Sequence, residues 1–457
     1  MPTTPRPSSH VNRRQALQIG YAGALGLGMS SLMPVAATAK ADRGELPRRA
    51  KNLIVIFLTG APSHHDTFDM KPDAPTDVRG DFKAIDTTVP GFQVCEHLPL
   101  LAQRAKHYAV VRSLSHKDNN HLMSSHHVLT GHMQPGAFFD KVASRTDWPN
   151  YSAALDYLRP QNDALPTGIN LPTFLMQSPL TWPGQYAGLL GPKHDPWQIN
   201  GDPNKNDFRV DGLQLAEGMA LDRFQDRNGL LADINAQQQR LTETAECRQL
   251  TGQQELAYSM LTSSKLSPTF ELNRETDETR DRYGRNTVGQ SMLMARRLVQ
   301  VGVPVVQVNV GKVQTWDNHS NIFPTLKDKL LPPVDRGVSA LLDDLVSMDL
   351  LNDTFVMLLG EFGRTPKINA NRGRDHWGPC FFGLFAGAGV QGGQVIGKSD
   401  SIGAYPVTKP YSPDDIGATV YHLLGIDPAS EIRDHFNRPL RLNLGDVIDP
   451  LFTGQAT

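Results

Sequence analysis

Residues 52–58 read Asn-Leu-Ile-Val-Ile-Phe-Leu, and residues 59–66 read Thr-Gly-Ala-Pro-Ser-His-His-Asp. The first segment is a continuous apolar run of strand length, which is typical of a strand buried on both faces of a parallel sheet. The second segment is a loop that combines turn-forming residues with several polar groups. The sequence therefore predicts a buried strand whose carboxyl end carries potential site residues.

Similar apolar runs alternate with helical segments along the chain. Further strands are predicted at 107–111, 171–176, 303–310, 354–359 and 381–385. Helices are predicted at about 119–131, 334–350 and 413–424. This alternation favours an α/β fold with a largely parallel sheet. A polar stretch at about 210–300, rich in Gln, Glu and Arg in its middle, predicts a helical insertion.

The N-terminus has the features of a secretory signal. Arg13 and Arg14 precede a short apolar stretch over 19–35, and Ala37-Thr38-Ala39 forms a cleavage site. The arginine pair resembles a twin-arginine signal. We expect export to the periplasm or beyond, with 1–39 as the signal and 40–51 as a tether; an uncleaved membrane anchor is the alternative. After processing, we expect no transmembrane span.

The composition excludes some classes of function. The 457 residues include 45 Lys plus Arg and 47 Asp plus Glu, for a formal net charge of -2. A nucleic-acid-binding protein usually has a basic excess or stripe, so we expect no nucleic-acid partner. The 3 cysteines lie far apart and form no Cys-x-x-Cys pair. Histidine is abundant, with 15 residues, many of them between His97 and His132.

Polar side chains follow four of the predicted strands, and ligands of open α/β sheets bind beyond the carboxyl ends of the strands. Asp317 and His319 are a carboxylate and an imidazole at a spacing that can turn both to one side of an extended loop, a pair that suits a divalent metal. His64 and Asp66 are candidates for metal or substrate contact. Each could instead be an ordinary polar loop residue.

Other candidates come from the later loops and from the histidine-rich segment. Glu361 ends a strand and could simply pair with Arg364, and His376 lies in a polar loop. In the helix that begins near Asn120, histidines five or six residues apart do not share a face, so only His121 is expected to face the site. The helix start would also favour an anionic group.

Several familiar motifs are absent from the sequence. It contains no His-Glu-x-x-His, no Gly-x-Ser-x-Gly and no P-loop. Gly387, Gly389 and Gly392 match the spacing of a dinucleotide-binding motif, but the residues that follow are strand-like, so we interpret the segment as a turn.

Seven blocks together resemble the bacterial domain-of-unknown-function family 1501, over about residues 48–455. The blocks are Phe57-Leu-Thr-Gly-Ala-Pro-Ser-His-His-Asp-Thr-Phe-Asp-Met-Lys-Pro72, Cys95-Glu-His-Leu-Pro99, Arg112-Ser-Leu114, His121 with Leu129-Thr-Gly131, Trp316-Asp-Asn-His319, Gly360-Glu-Phe-Gly-Arg-Thr-Pro366 and Gly373-Arg-Asp-His-Trp377. That family is grouped with alkaline phosphatases and sulfatases. The resemblance implies a doubly wound α/β domain over 52–455, with helices on both faces of the sheet.

The resemblance also implies roles for individual residues. Asp66 matches a ligand of one metal, Asp317 and His319 match ligands of the other, and His376 resembles a late histidine ligand. Glu361 takes the place of an aspartate ligand. These residues, with His64, are the predicted ligands of one or two divalent ions: Zn, Mn, Mg or Ca.

Two departures from the superfamily pattern concern the reaction. Phe362 stands where a histidine ligand is expected, and the formylglycine motif of sulfatases is missing. His121 stands at the position of the nucleophile. It could act as nucleophile or ligand, Ser115 or another hydroxyl could replace it, a metal-bound water could attack, or hydrolysis could be lost.

The sequence therefore predicts an exported, metal-dependent hydrolase of phosphate or sulfate esters. Its substrate would be a small-molecule or polysaccharide anionic ester. His121 would lie at the reacting group, and Arg364 and Arg112 would neutralise the anion. The alternative is a catalytically degenerate binding or scaffold protein of the cell envelope that keeps the fold.

Overall fold

The computed structural model describes residues 48–135, 142–161, 165–210 and 266–454. The predicted signal (1–39) lies outside these residues, as do most of the tether and 211–265 of the predicted insertion. Among the described residues, no helix combines the length and apolarity needed to cross a bilayer.

The strands vary from two-residue hairpin arms to seven-residue sheet members. In chain order they are β1 (Asn52–Phe57), β2 (Ala84–Asp86), β3 (Gln93–Cys95), β4 (Tyr108–Leu114), β5 (Gly168–Leu171), β6 (Met176–Gln177), β7 (Leu180–Thr181), β8 (Trp197–Gln198), β9 (Val305–Asn309), β10 (Thr354–Leu359), β11 (Gly363–Arg364), β12 (His376–Trp377), β13 (Phe381–Ala386), β14 (Gln394–Ile396), β15 (Glu431–Arg433) and β16 (Pro439–Arg441).

The α-helices range from single turns to seventeen residues. In chain order they are α1 (Thr76–Arg79), α2 (Pro99–Gln103), α3 (His121–Thr130), α4 (Tyr151–Leu158), α5 (Asp277–Tyr283), α6 (Thr287–Gln300), α7 (Ile322–Thr325), α8 (Leu331–Ser347), α9 (Pro413–Leu423) and α10 (Pro450–Thr453). Short 3₁₀ turns and a π-turn at Leu326–Leu330 connect several of them.

Within the described residues, the central sheet has eight strands in the order β14-β4-β13-β10-β1-β9-β5-β8. β1 is parallel to β10 on one side and to β9 on the other, and β9, β5 and β8 continue the parallel arrangement. β13 is the exception, because it runs antiparallel to both β10 and β4. The prediction of a largely parallel sheet is confirmed.

The sheet is buried on both faces by two layers of helices. Along β1, Ile54 and Ile56 pack with α6 and α8, whereas Leu53 and Val55 pack with α3, α4 and α9. Successive side chains of a strand point to opposite faces, so an unbroken apolar run is what two covered faces require. The predicted doubly wound α/β fold is therefore confirmed.

Two sequence-based boundaries differ from the structure. The strand predicted at 171–176 lies at Gly168–Leu171, because Pro172 follows it and lacks the N–H that a central strand needs. Residues 266–300 of the predicted insertion include α5 and α6, and Met292 and Leu293 of α6 belong to the sheet core. This part of the segment is thus a layer of the α/β domain.

Candidate metal centre

One edge of the sheet collects the polar loops. β1, β4, β9 and β10 run in the same direction, so their carboxyl ends meet at this edge, and the antiparallel β13 begins there. The loops at this edge span 58–69, 115–120, 310–321, 360–362 and 365–380.

Asp317 lies at the middle of this edge, surrounded by three imidazoles. Its Oδ1 is 2.9 Å from Nε2 of His319 and 3.1 Å from Nε2 of His376. Its Oδ2 is 3.2 Å from Nε2 of His121. The Nε2 atoms of His319 and His376 are themselves 3.0 Å apart. The carboxylate of Asp317 thus lies among three imidazoles, and His121, Asp317 and His376 each place one ligand atom within 4.8 Å of the other two.

Each of these histidines turns its other ring nitrogen to an oxygen acceptor. The pairs are His121 Nδ1 with Glu361 Oε1 at 2.6 Å, His319 Nδ1 with Asp375 Oδ1 at 2.7 Å, and His376 Nδ1 with the carbonyl oxygen of Asn119 at 2.8 Å. Carboxylates and carbonyls accept hydrogen bonds, so in the neutral imidazoles the proton lies on Nδ1 and Nε2 keeps a lone pair.

This arrangement fits a divalent metal ion. Metal-binding histidines typically donate their second N–H to a carboxylate or carbonyl, as all three do here. Tetrahedral Zn²⁺ with bonds of about 2.0–2.1 Å places its ligands about 3.3 Å apart, close to the distances around Asp317. Nε2 of His121 is buried and has no hydrogen-bond partner. A cation would supply the positive charge that these lone pairs and the carboxylate face.

Arg364 forms a buried ion pair with Asp317. Its guanidinium is fully buried, lies 2.6 Å from Asp317 Oδ1, and donates to the backbone carbonyls of Gly60, Ala61 and Arg374. Burial alone would raise the pKa of Asp317, but the neighbouring imidazoles of His121 and His376 and the charge of Arg364 lower it well below its usual range. Asp317 is therefore an anion at any physiological pH.

Glu361 is a second buried acidic side chain at the site. Its carboxylate accepts the backbone N–H groups of Gly60 and Ala61 at 2.9–3.1 Å as well as Nδ1–H of His121. Burial lowers the pKa of His121, but the neighbouring carboxyl groups of Asp317 and Glu361 outweigh burial and raise that pKa. The structure thus places Glu361 behind His121, as its partner.

Three of the predicted site residues are engaged elsewhere. Asp66 is fully buried and forms a two-point ion pair with Arg374, at 2.7 and 3.1 Å. Arg112 lies 3.6 Å from Asp69. His64 also lies beside Asp69, and its Nε2 is 2.8 Å from the Gly403 carbonyl. Their predicted roles at the metal or the anion stay predictions.

Sequence reasoning missed two of the groups that orient the imidazoles. Asp375 immediately precedes His376 in the sequence, so an acidic neighbour was a signal that could have been followed. The acceptor of Asn119 is a backbone carbonyl, and no residue type encodes its position. The other histidines of α3 turn away: His126 bonds the His132 carbonyl, and His127 bonds Asp414.

Comparison with solved structures shows distant similarity to several proteins. The PsFucS1 sulfatase from Pseudoalteromonas sp. is 13% identical, with 86% of this chain and 70% of that chain covered and a TM-score of 0.37. A protein in the alkaline phosphatase superfamily from Vibrio parahaemolyticus is 11% identical, with 84% of this chain and 71% of that chain covered and a TM-score of 0.37. The phosphonate monoester hydrolase SpPMH from Silicibacter pomeroyi is 11% identical, with 89% of this chain and 77% of that chain covered and a TM-score of 0.37.

A search of curated proteins finds no significant match to the chain. A family model described as a protein of unknown function (DUF1501) matches residues 50–452, which is most of the sequence. This match confirms the resemblance carried by the seven sequence blocks. The chain belongs to the DUF1501 family.

Proposed function

We propose that this protein is an exported, metal-dependent hydrolase of phosphate or sulfate esters. The observation that carries the proposal is the convergence of three imidazole Nε2 atoms on Asp317, each imidazole held by an acceptor at Nδ1. Catalytic metal sites of hydrolases commonly combine three protein ligands with an open position.

Asp317, His319 and His376 would hold the ion. When bound, a divalent ion supplies Lewis acidity toward the ester oxygen and lowers the pKa of water. The side chains of His319 and Asp375 are 45% and 54% exposed, so the centre opens to solvent on that side.

His121 would act on the reacting group through Nε2. Glu361 keeps the proton of the neutral imidazole at Nδ1, which leaves Nε2 free to accept a proton from an attacking water. The imidazolium that forms would be stabilised by the buried Glu361 carboxylate, as in histidine–carboxylate pairs of other hydrolases. The raised pKa of His121 is in keeping with a proton acceptor.

The charges of the site also favour a bound cation, and they disfavour an anionic ester unless that cation is present. Asp317, Glu361 and Asp375 contribute three carboxylates, against one guanidinium from Arg364. Such a site would repel a phosphate or sulfate ester unless a divalent ion offsets the negative charge. Metal dependence is therefore part of the proposal.

The remaining parts of the proposal come from the sequence. Export depends on the signal at 1–39, and the substrate would be a small-molecule or polysaccharide ester. The absence of a formylglycine motif from the sequence means that the nucleophile differs from that of ordinary sulfatases. A water activated at this centre is the choice that needs no additional side chain.

The test uses the purified full chain. Its metal content is measured by elemental analysis, and hydrolysis of aryl phosphate and aryl sulfate is followed with and without chelator. We expect bound metal and chelator-sensitive hydrolysis, both lost in Asp317→Ala. Asp353→Ala is the control, since Asp353 pairs with Lys51 at the opposite end of β10 and is half-exposed. A folded wild type that binds no metal even after reconstitution would favour the scaffold alternative.

A further inference from the structure

A second group of potential metal ligands combines two residues of the loop that follows β1 with a cysteine. His64, Asp69 and Cys380 each place one ligand atom within 4.8 Å of the other two, and all three are buried. His64 and Asp69 come from the loop after β1, and Cys380 directly precedes β13. We propose that this cluster binds a Zn²⁺ ion, separate from the centre at Asp317.

His64 presents a free lone pair inside the protein. Its Nε2 lies 2.8 Å from the Gly403 carbonyl, which can only accept, so Nε2 carries the proton. Its Nδ1 is buried and has no hydrogen-bond partner, although the residue is 1% exposed. By contrast, Nδ1 of the similarly buried His116 accepts from the Asp118 N–H at 3.2 Å. An unpaired ring nitrogen of this kind is costly unless something binds it.

A glycine, Gly363, lies next to Nδ1 of His64. A Cβ atom at Gly363 would lie 2.8 Å from this Nδ1 and 2.0 Å from the Cys380 carbonyl oxygen. Glycine at 363 therefore lets the imidazole and the strand that carries the thiol approach each other. Burial also lowers the pKa of His64 to about 4, so the ring is neutral at neutral pH and able to bind a metal.

The other two ligands set the kind of metal. Asp69 is an anion, since Arg112 and Lys71 outweigh the effect of burial and lower its pKa. Cys380 Sγ makes one weak contact, 3.6 Å from the Arg112 carbonyl oxygen. Thiolate, imidazole and carboxylate together suit Zn²⁺, whereas Mg²⁺ and Ca²⁺ prefer oxygen ligands alone.

The charge balance requires the thiolate. Lys71 and Arg112 already lie beside Asp69, at 2.8 and 3.6 Å, and would disfavour an added cation held by neutral ligands. Binding would form bonds from the metal to Nδ1, a carboxylate oxygen and Sγ, while the thiol proton leaves to solvent. The thiolate offsets one positive charge. Burial and the charge of Asp69 raise the pKa of the Cys380 thiol, although Lys71 lowers it, so the metal itself must displace the proton.

The experiment replaces zinc with cobalt in the full chain, by expression in cobalt-supplemented minimal medium. A thiolate bound to Co²⁺ gives charge-transfer absorption in the near ultraviolet, and we expect this band in the wild type. Cys380→Ser should abolish it. The matched controls Cys95→Ser and Cys247→Ser should keep it, as should Asp317→Ala, because the centre at Asp317 contains no sulfur ligand.

Two results would overturn the site: a cobalt-grown wild type with no thiolate band, or a band that persists in Cys380→Ser. If Cys380→Ser does not fold, X-ray absorption of zinc-loaded Asp317→Ala protein gives the decision without altering the cluster. One sulfur neighbour per zinc is expected there, and zinc with only nitrogen and oxygen neighbours would contradict the site. Loss of ester hydrolysis in Asp317→Ala does not bear on either result.

Discussion

The carboxylate of Glu361 lies 2.6 Å from Nδ1 of His121 and is held in place by two backbone N–H groups. The pair joins the end of β10 to the first residue of α3. Because Glu361 points at the far side of the ring, it sets the tautomer of His121 and leaves Nε2 toward Asp317.

Substituting Glu361→Gln should reduce hydrolysis while leaving the ion bound. The amide keeps the size of the side chain. Its NH₂ group, however, cannot accept the hydrogen bonds that Gly60, Ala61 and His121 donate to the carboxylate. Loss of such an orienting partner typically costs about 10–100-fold in activity or metal affinity. We expect the fall in kcat, measured on aryl esters, with the metal content of the wild type. Glu431→Gln, at an exposed position, should change neither.

His376→Ala and His121→Ala should have different effects on the metal centre. His376 is proposed as a ligand and His121 as a proton acceptor, so the first variant should lose metal and the second should retain it without activity. Elemental analysis after dialysis distinguishes them, with the exposed His435→Ala as a control. Loss of metal from His121→Ala would instead make His121 a ligand.

Asp66→Asn should destabilise the fold without removing the metal. Asp66 and Arg374 are both fully buried, and breaking such a pair leaves an unpaired charge in the protein, at a cost of about 3–5 kcal/mol. Urea unfolding should show this decrease in the free energy of unfolding. If the variant instead loses metal while keeping its stability, Asp66 is a metal ligand, as the family resemblance implies.

Acid should destabilise the protein partly through His116. Burial lowers the pKa of His116 from 6.5 to about 4, so between these values the unfolded chain binds more protons than the folded one. Stability should therefore fall as the pH decreases from about 6.5 to about 4, with a contribution from His116 of about 3 kcal/mol. Unfolding of His116→Gln at several pH values should show a shallower decrease; an unchanged slope would contradict the assignment.

Gly60→Ala should be more harmful than Gly389→Ala. Both glycines have positive φ, +102° and +88°, so both substitutions strain the backbone. A Cβ at Gly60 would also lie 2.7 Å from Cα of Gln314 and 2.9 Å from N of Asp317, whereas nothing lies within 4 Å at Gly389. We expect a loss of about 1–3 kcal/mol at Gly389 and a larger loss at Gly60, measured by thermal unfolding.

The fold was predictable because its signals are local. The unbroken apolar run of β1 requires two covered faces, and the structure has helices on both. Asn120 and Gly131 mark the ends of α3, where Asn120 caps the first turn and Gly131 takes the left-handed conformation. The antiparallel direction of β13 was not predictable, since strand direction depends on how the chain returns to the sheet.

The site was predictable in part. Asp317, His319 and His376 stand out as metal-binding residue types at strand ends, and the structure brings them together. Pairing cannot be inferred from residue type, so nothing in the sequence shows that Asp66 would be taken by Arg374. The roles of acceptors such as the Asn119 carbonyl depend on backbone position alone.

The proposed centre is built from segments that are far apart in the chain: His121 begins α3, and the proposed ligands are Asp317, His319 and His376. Partial structures that lack any one loop therefore hold an incomplete ligand set. An ion that binds only the complete chain stabilises it by about 2.7 kcal/mol at one hundred times its dissociation constant. The supply of metal around this protein would thus govern its lifetime against proteases as well as its chemistry.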